Sequence, residues 1–369
     1  MTQKQIRLEK PQKPKGIEMK TFDYTYMPAE LLTPDIMNLV SVIHEYKGKQ
    51  DLYLDAKPDI LTSLIDVAKV QSVGASNRIE GISTTDGRLE ALVKETAEPK
   101  NRPEQEIAGY REVLKLIHQN HPYMQPSENL ILQMHRDLYR YSPNTVAGKY
   151  KNTENAIEER DQQGRRRIRF QPVSVFETPL YMEKLCASLQ RARQEEHIDP
   201  LILSAMFVLD FLCVHPFNDG NGRMSRLLTL LLLYRAGYMV GQYISLEKLV
   251  EDTKDTYYQT LQESSRGWHE GQGTYLPFVT YYLQIILAAY KDFDERVQSG
   301  TSKDLTKAGR IAKLLENSLQ RWSKADIRNH YPDISESTIE LTLAKLIRED
   351  EIVKIGEKKG TEYIWKREE

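Results

Sequence analysis

A chain of 369 residues with 40% apolar and 28% charged side chains can bury a sizeable core under a polar surface, which excludes a disordered or fibrous polymer. Its 51 basic and 53 acidic residues leave a net charge of -2, so no global field singles out a nucleic acid or a membrane surface as the main partner. The two cysteines, Cys186 and Cys213, lie inside apolar helical patterns; they exclude a disulfide framework and fit buried thiols in a reducing cytoplasm.

Residues 1–20 are rich in Lys, Gln and Pro and have no apolar core, so they read as an extended lead-in rather than a signal peptide. Helical periodicity follows over 36–46 and then over 58–80, where Pro58 suits a first turn and Gly81 a C-terminal cap. Further helices are predicted over 103–119, 127–139, 179–194, 200–214, 223–236 (with Gly237 as cap), 252–264 and 277–297. The greasiest run, 201–214, contains Asp210 and is shorter than the ~18 residues a membrane span needs, so it reads as a core helix. Between these helices, 152–161 and 165–170 flank Gln162-Gln163-Gly164 and read as a β-hairpin. Residues 305–369 read as three helices, the last over 335–349. Two short strands follow, 352–355 and 363–365, joined through Lys358-Lys359-Gly360 in the outline of a winged helix.

The segment 215–226, HPFNDGNGRMSR, joins two nearly all-apolar helices, so its polar loop must sit against the core. Gly220-Asn221-Gly222 can turn successive N–H groups toward one anion, and the following helix adds its positive dipole end. Arg223 and Arg226, three apart, point to one side, and two guanidinium forks beside such a nest suit a polyphosphate. Asp219 offers a hard oxygen ligand for Mg²⁺, and His215 has a ring suited to proton abstraction near neutral pH. Taken singly, each feature has a plainer reading: a turn for 218–222, a satisfied core histidine for His215.

Taken together, the segment resembles the Fic-family signature His-x-Phe-x-(Asp/Glu)-Gly-Asn-Gly-Arg-x-x-Arg, met at His215, Phe217, Asp219, Gly220, Asn221, Gly222, Arg223 and Arg226. The resemblance extends over about 20–300 and implies a mainly α fold with a β-hairpin flap. The expected division is 1–20 lead-in, 21–120 helical region with an inhibitory helix, 121–300 catalytic core and 301–369 winged-helix-like domain. It implies transfer of AMP from ATP to a Ser, Thr or Tyr hydroxyl of a protein, itself included, with release of pyrophosphate. His215 would be the base and Asp219 the magnesium ligand. Phe217 would anchor the loop, while Asn218, Asp219, Gly220, Asn221, Gly222, Arg223 and Arg226 would hold ATP. Tyr257 and Tyr258 match a pair lining the adenine pocket, and Asn155, Ala156 and Ile157 match the flap that pairs with the target. Lys151 stands where relatives often have Arg.

Ser76-Asn-Arg-Ile-Glu80-Gly81 resembles the family's inhibitory motif. A carboxylate in the last turn of a helix is disfavoured by the macrodipole unless a cation meets it, and Arg226 is the expected cation, with Ser76 orienting Glu80. A de-AMPylase using Glu80 is the alternative mechanism, and a DNA-binding regulator is the alternative class. The C-terminal unit is near neutral and lacks the basic footprint of a DNA-binding module, so packing against the core or a protein partner is preferred; the resemblance leaves the oligomeric state open, with a homodimer as one option. Arg165 to Arg169 read as a solvated hairpin face.

Overall fold

The computed structural model describes residues 20–56, 58–142, 147–160, 166–299, 306–318, 321–356 and 361–366. The lead-in up to 19, the hairpin turn with Arg165, and Lys358-Lys359-Gly360 lie outside the described residues.

Eleven helices among the described residues precede the C-terminal unit: α1 (Pro34–Ala56), α2 (Pro58–Ile79), α3 (Asp86–Val93), α4 (Arg102–Asn120), α5 (Glu128–Leu138), α6 (Thr178–Glu195), α7 (Pro200–Val214), α8 (Asn221–Arg235), α9 (Leu246–Asp252), α10 (Lys254–Ser265) and α11 (Leu276–Ser299). Local chemistry sets many of their ends. Asn101, Ser127 and Asp199 accept hydrogen bonds from first-turn N–H groups of α4, α5 and α7, each satisfying a donor the helix leaves free. Gly81 stops α2 at φ +79°, a conformation glycine adopts without a Cβ penalty.

Helix α7 is the axis of the main core: every residue from Leu201 to Val214 is buried. Its Asp210, 0% exposed, accepts from Tyr24 Oη (2.6 Å), Tyr275 Oη (2.7 Å) and Trp268 Nε1 (2.6 Å), with Lys20 Nζ at 3.4 Å. A buried carboxylate persists only when so satisfied, and this one ties the N-terminal segment to α7 and to the residues leading into α11.

The structure departs from the sequence reading in several places. Helix α1 runs ten residues beyond 46, where Tyr46 and Tyr53 continue the packing against Tyr290 and Phe293 of α11. Helix α3 was not anticipated. The helix expected over 252–264 is α10, and a short helix not expected there, α9, precedes it and ends at Thr253, whose hydroxyl bonds Leu249 O and Tyr281 Oη. The flap strands are β1 (Ile157–Arg160) and β2 (Arg166–Phe170), antiparallel. Residues 152–156, expected in the first strand, fold back on the 215–221 loop instead, because Asn152 and Asn155 bond to it.

Past 305, α12 (Lys307–Asn317), β3 (Trp322–Ser323), α13 (Lys324–His330), α14 (Glu336–Arg348), β4 (Ile352–Ile355) and β5 (Glu362–Trp365) enclose a second hydrophobic core, with a sheet of order β3-β5-β4. Strand β3 has only two residues, too few for an alternation pattern to reveal. No helix among the described residues is long and apolar enough to cross a membrane.

Candidate active site

His215 caps α7 in a left-handed conformation, φ 52°, which turns the chain abruptly out of the core. Its Nδ1 lies 3.2 Å from Leu212 O; donating there leaves Nε2 as the acceptor, and the ring lines a cleft. Burial pushes its pKa down to about 4, a nearby Lys151 and Arg169 add to this, and the Leu212 bond opposes it. The ring is therefore neutral near pH 7.

The loop after His215 is fixed from within. Phe217, 0% exposed, stacks on His135 at 3.7 Å with the rings 2° apart. His135 accepts from Gly148 N at Nδ1 (3.0 Å) and donates from Nε2 to Asp219 O (3.1 Å), and burial keeps it neutral with a pKa of about 4. Asn221 uses both ends of its amide on Phe217, accepting from its N (3.0 Å) and donating to its O (2.7 Å). Lys151, buried and pushed down to about 8, donates to Asn155 Oδ1 (3.0 Å), and Asn155 Nδ2 donates to Phe217 O (3.1 Å). Asn218 bonds Asn152 and Thr153 in the same way.

A cleft of roughly 650 Å³ opens between the flap, the end of α7, the start of α8 and α10. Among its lining residues are Glu80, Ala156, Ile157, His215, Gly222, Arg226, Tyr257 and Tyr258, which the sequence singled out, and Arg169, Asp255, Gln259 and Gln262, which it did not. The first turn of α8 faces this space with its N–H groups and dipole, an arrangement that attracts anions.

The two motif arginines have different surroundings. Arg226 donates from Nη2 to Glu80 Oε1 (2.8 Å) and to Ser76 O (2.9 Å), and from Nε to Ser76 Oγ (2.8 Å). Ser76 therefore holds Arg226, whereas the sequence reading had it orienting Glu80; 0% exposed, its hydroxyl faces the guanidinium. Arg223, 1% exposed, donates from Nη1 to Glu106 Oε2 (2.7 Å) and from Nη2 to Tyr139 Oη (2.8 Å), and does not line the cleft. The Arg223 side chain and the Asn221 amide, both expected at the phosphates, make bonds here that fix the start of α8.

Asp219 exposes its carboxylate. Oδ1 accepts from Gly220 N (2.7 Å) and lies 3.6 Å from Arg223 Nη2. Among the described residues no group of three or more His, Cys, Asp or Glu is placed to hold a metal. A single exposed carboxylate beside an anion site does fit Mg²⁺ bound mainly through phosphate oxygens and water. Gly81 serves as the cap of α2, outside the cleft.

Sequence reasoning missed Glu106, Tyr139 and His135, for which spacing offers no signal: their partners lie 84 to 117 positions away. For Arg169 a signal existed in the strand alternation, since Ile168 is 62% exposed and its neighbour must face the other way.

The model of the Fic/DOC family matches residues 125–233. Over 104 residues the chain is 31% identical to a Fido domain-containing protein from Dictyostelium discoideum, covering 27% of this chain and 68% of that protein. Over 215 residues it is 26% identical to a protein adenylyltransferase Fic from Nematostella vectensis, covering 55% of this chain but 45% of that one, so the match spans under half of that relative. Among solved structures, a Fic family protein from Desulfovibrio desulfuricans aligns over 93% of this chain and 99% of its own with a TM-score of 0.59 at 21% identity. A Fic domain-containing signaling protein from Bacteroides thetaiotaomicron aligns over 71% and 100%, with a TM-score of 0.59 at 23% identity. At such identity these two likenesses speak for the fold alone.

Proposed function

This chain belongs to the Fic/DOC family, and on that premise we propose that it transfers AMP from ATP to a Ser, Thr or Tyr hydroxyl of a protein, with Glu80 restraining the reaction. The observation carrying this reading is one cleft in which a neutral His215, the N-terminal turn of α8 and an Arg226 engaged by Glu80 meet. His215 Nε2 takes the hydroxyl proton, the oxygen forms a bond to the α-phosphorus, and the bond to the β-phosphate oxygen breaks, so pyrophosphate leaves. The α8 N–H groups and Arg226 bind the phosphates, Tyr257 and Tyr258 flank the base, and Ala156 and Ile157 present the target strand. Arg223 contributes by fixing the first turn of α8. Asp219 would hold Mg²⁺, which when bound neutralises phosphate charge.

Intact-mass measurement after incubation with ATP, on wild type and Glu80→Gly, tests this: gain of one adenylyl group, larger in the variant, is expected. No gain with either protein or with added candidate targets would sink it.

The C-terminal unit we read as a winged helix serving protein contacts rather than DNA. Its basic side chains near α14 are met by acids, Lys324 by Glu340 at 2.6 Å, Arg328 by Glu336 at 3.7 Å and Lys345 by Glu349 at 3.7 Å, which leaves little charge for phosphates. Salt-dependent retention on duplex DNA would overturn this.

A further inference from the structure

We propose that Arg169, carried by flap strand β2, is a second anion ligand of the cleft that closes on the phosphate lying beside His215 when a nucleotide is bound. The inference rests on reading the cleft as a nucleotide site. It starts from the position of the side chain. On β2, Ile168 points outward and Arg169 inward, where it joins His215 and Tyr258 in lining the cleft. Its guanidinium sits 5.6 Å from the centre of the Tyr258 ring, an arrangement that fixes the plane of the fork.

The two motif arginines have their acceptors: Arg226, in the cleft, has Ser76 and Glu80, and Arg223, outside it, has Glu106 and Tyr139. Arg169 differs. Its Nε is buried without an acceptor, as is that of Arg223, but among the described residues no carboxylate pairs with Arg169 as Glu106 pairs with Arg223 and Glu80 with Arg226. A guanidinium with a buried, unmatched Nε–H gains from an anion with several acceptor oxygens, and a phosphate fits its fork. Asp255 and Glu80 line the same cleft, yet neither pairs with it. Its charge acts at His215, where Arg169 is among the groups holding the ring neutral. The subsite therefore lies on the His215 side, where the transferring phosphate would sit, with the flap supplying the cation.

The test is calorimetric titration of the full chain with AMP and, separately, with adenosine, which differs by the phosphate. Wild type is expected to prefer AMP. Arg169→Gln should weaken AMP binding about tenfold or more and leave adenosine binding unchanged, and Arg169→Lys should retain part of the preference. AMP binding by Arg169→Gln equal to wild type would overturn the proposal. So would equal losses of AMP and adenosine in both variants, which would mark a packing role, or failure of wild type to bind AMP at all. If instead the Arg169 effect is seen while Glu80→Gly transfers no label from α-³²P-ATP, the subsite stands and the AMP-transfer reading falls.

Discussion

The Glu80 carboxylate occupies the space in which a side chain at Gly222 would begin: a Cβ there would lie 2.2 Å from Glu80 Oε1 and 3.3 Å from Arg226 Nη1. The glycine of the anion nest is thus also the surface against which the end of α2 rests. The carboxylate projects over the first turn of α8, where an anion would otherwise be drawn by N–H groups and dipole. On the proposed function, binding of a phosphate at that turn and closure of Glu80 onto Arg226 would compete for the same place.

Removing the competitor should therefore release activity. Glu80→Gly is expected to raise α-³²P-ATP incorporation about tenfold to a hundredfold at matched concentration, since a charge-assisted hydrogen bond is worth ~1.5–3 kcal/mol and each ~1.4 kcal/mol is a decade. Stability should change little, because the substitution falls just past the end of α2, where Gly costs less than in a helix interior. Equal or lower incorporation by the folded variant would reject autoinhibition and shift weight to Glu80 as a group that removes AMP.

Ser76 predicts the opposite sign. It receives Nε and Nη2 of Arg226, so the guanidinium stays oriented when Glu80 is gone. Ser76→Ala leaves a buried Nε–H without its acceptor at a cost of ~1–3 kcal/mol. In the Glu80→Gly background it should lower transfer and weaken ATP binding. Higher transfer in the double variant would mean that Ser76 belongs to the restraint and not to Arg226.

His215→Ala should abolish transfer while ATP still binds, because the ring contributes a base and the α8 turn is retained. The pH profile follows from the folded-state value of about 4, below the ordinary ~6.5. The base form persists above about 4, so kcat/KM should stay level through mild acid and decline only as pH falls through that value. A decline centred near the ordinary histidine range would refute the buried, neutral ring. The same shift acts on stability, as it does for His118, His135 and His330, each also held near 4 by burial. Between ~6.5 and these values the unfolded chain binds more protons, so stability should fall as pH drops across that window. Urea midpoints measured across the window check it.

The motif loop was legible because it combines residue types that a core cannot otherwise accommodate, and the greasy helices on either side announce their own burial. Helix limits set by Pro58, Pro200 and Gly81 were legible for the same local reason. What the sequence does not carry is who meets whom. Arg223 looks identical to Arg226 in a pattern of helical spacing, yet one faces Glu106 across the core and the other faces Glu80 over the cleft. Likewise 152–156 read as part of a strand only until Asn218 and Phe217 are brought beside Asn152 and Asn155. Nonlocal acceptors overrode local periodicity in each case.

That distinction yields the last prediction. Arg223 and Glu106 form a buried pair at 2.7 Å, with exposures of 1% and 4%, and Arg102 bonds the other oxygen of Glu106 from the surface. Breaking such a pair from one side leaves a buried charge, which typically costs ~3–5 kcal/mol, while replacing both partners by apolar residues of similar volume is far less disruptive. Arg223→Ala should therefore lower the urea midpoint strongly and weaken ATP binding with it, since the first turn of α8 loses its anchor. Arg223→Met combined with Glu106→Leu should recover most of the stability. If Arg223 acts by positioning α8, ATP affinity returns with the stability of the double variant. If affinity stays lost in a stably folded double variant, Arg223 leaves Glu106 to bind phosphate directly, and the positioning role is rejected.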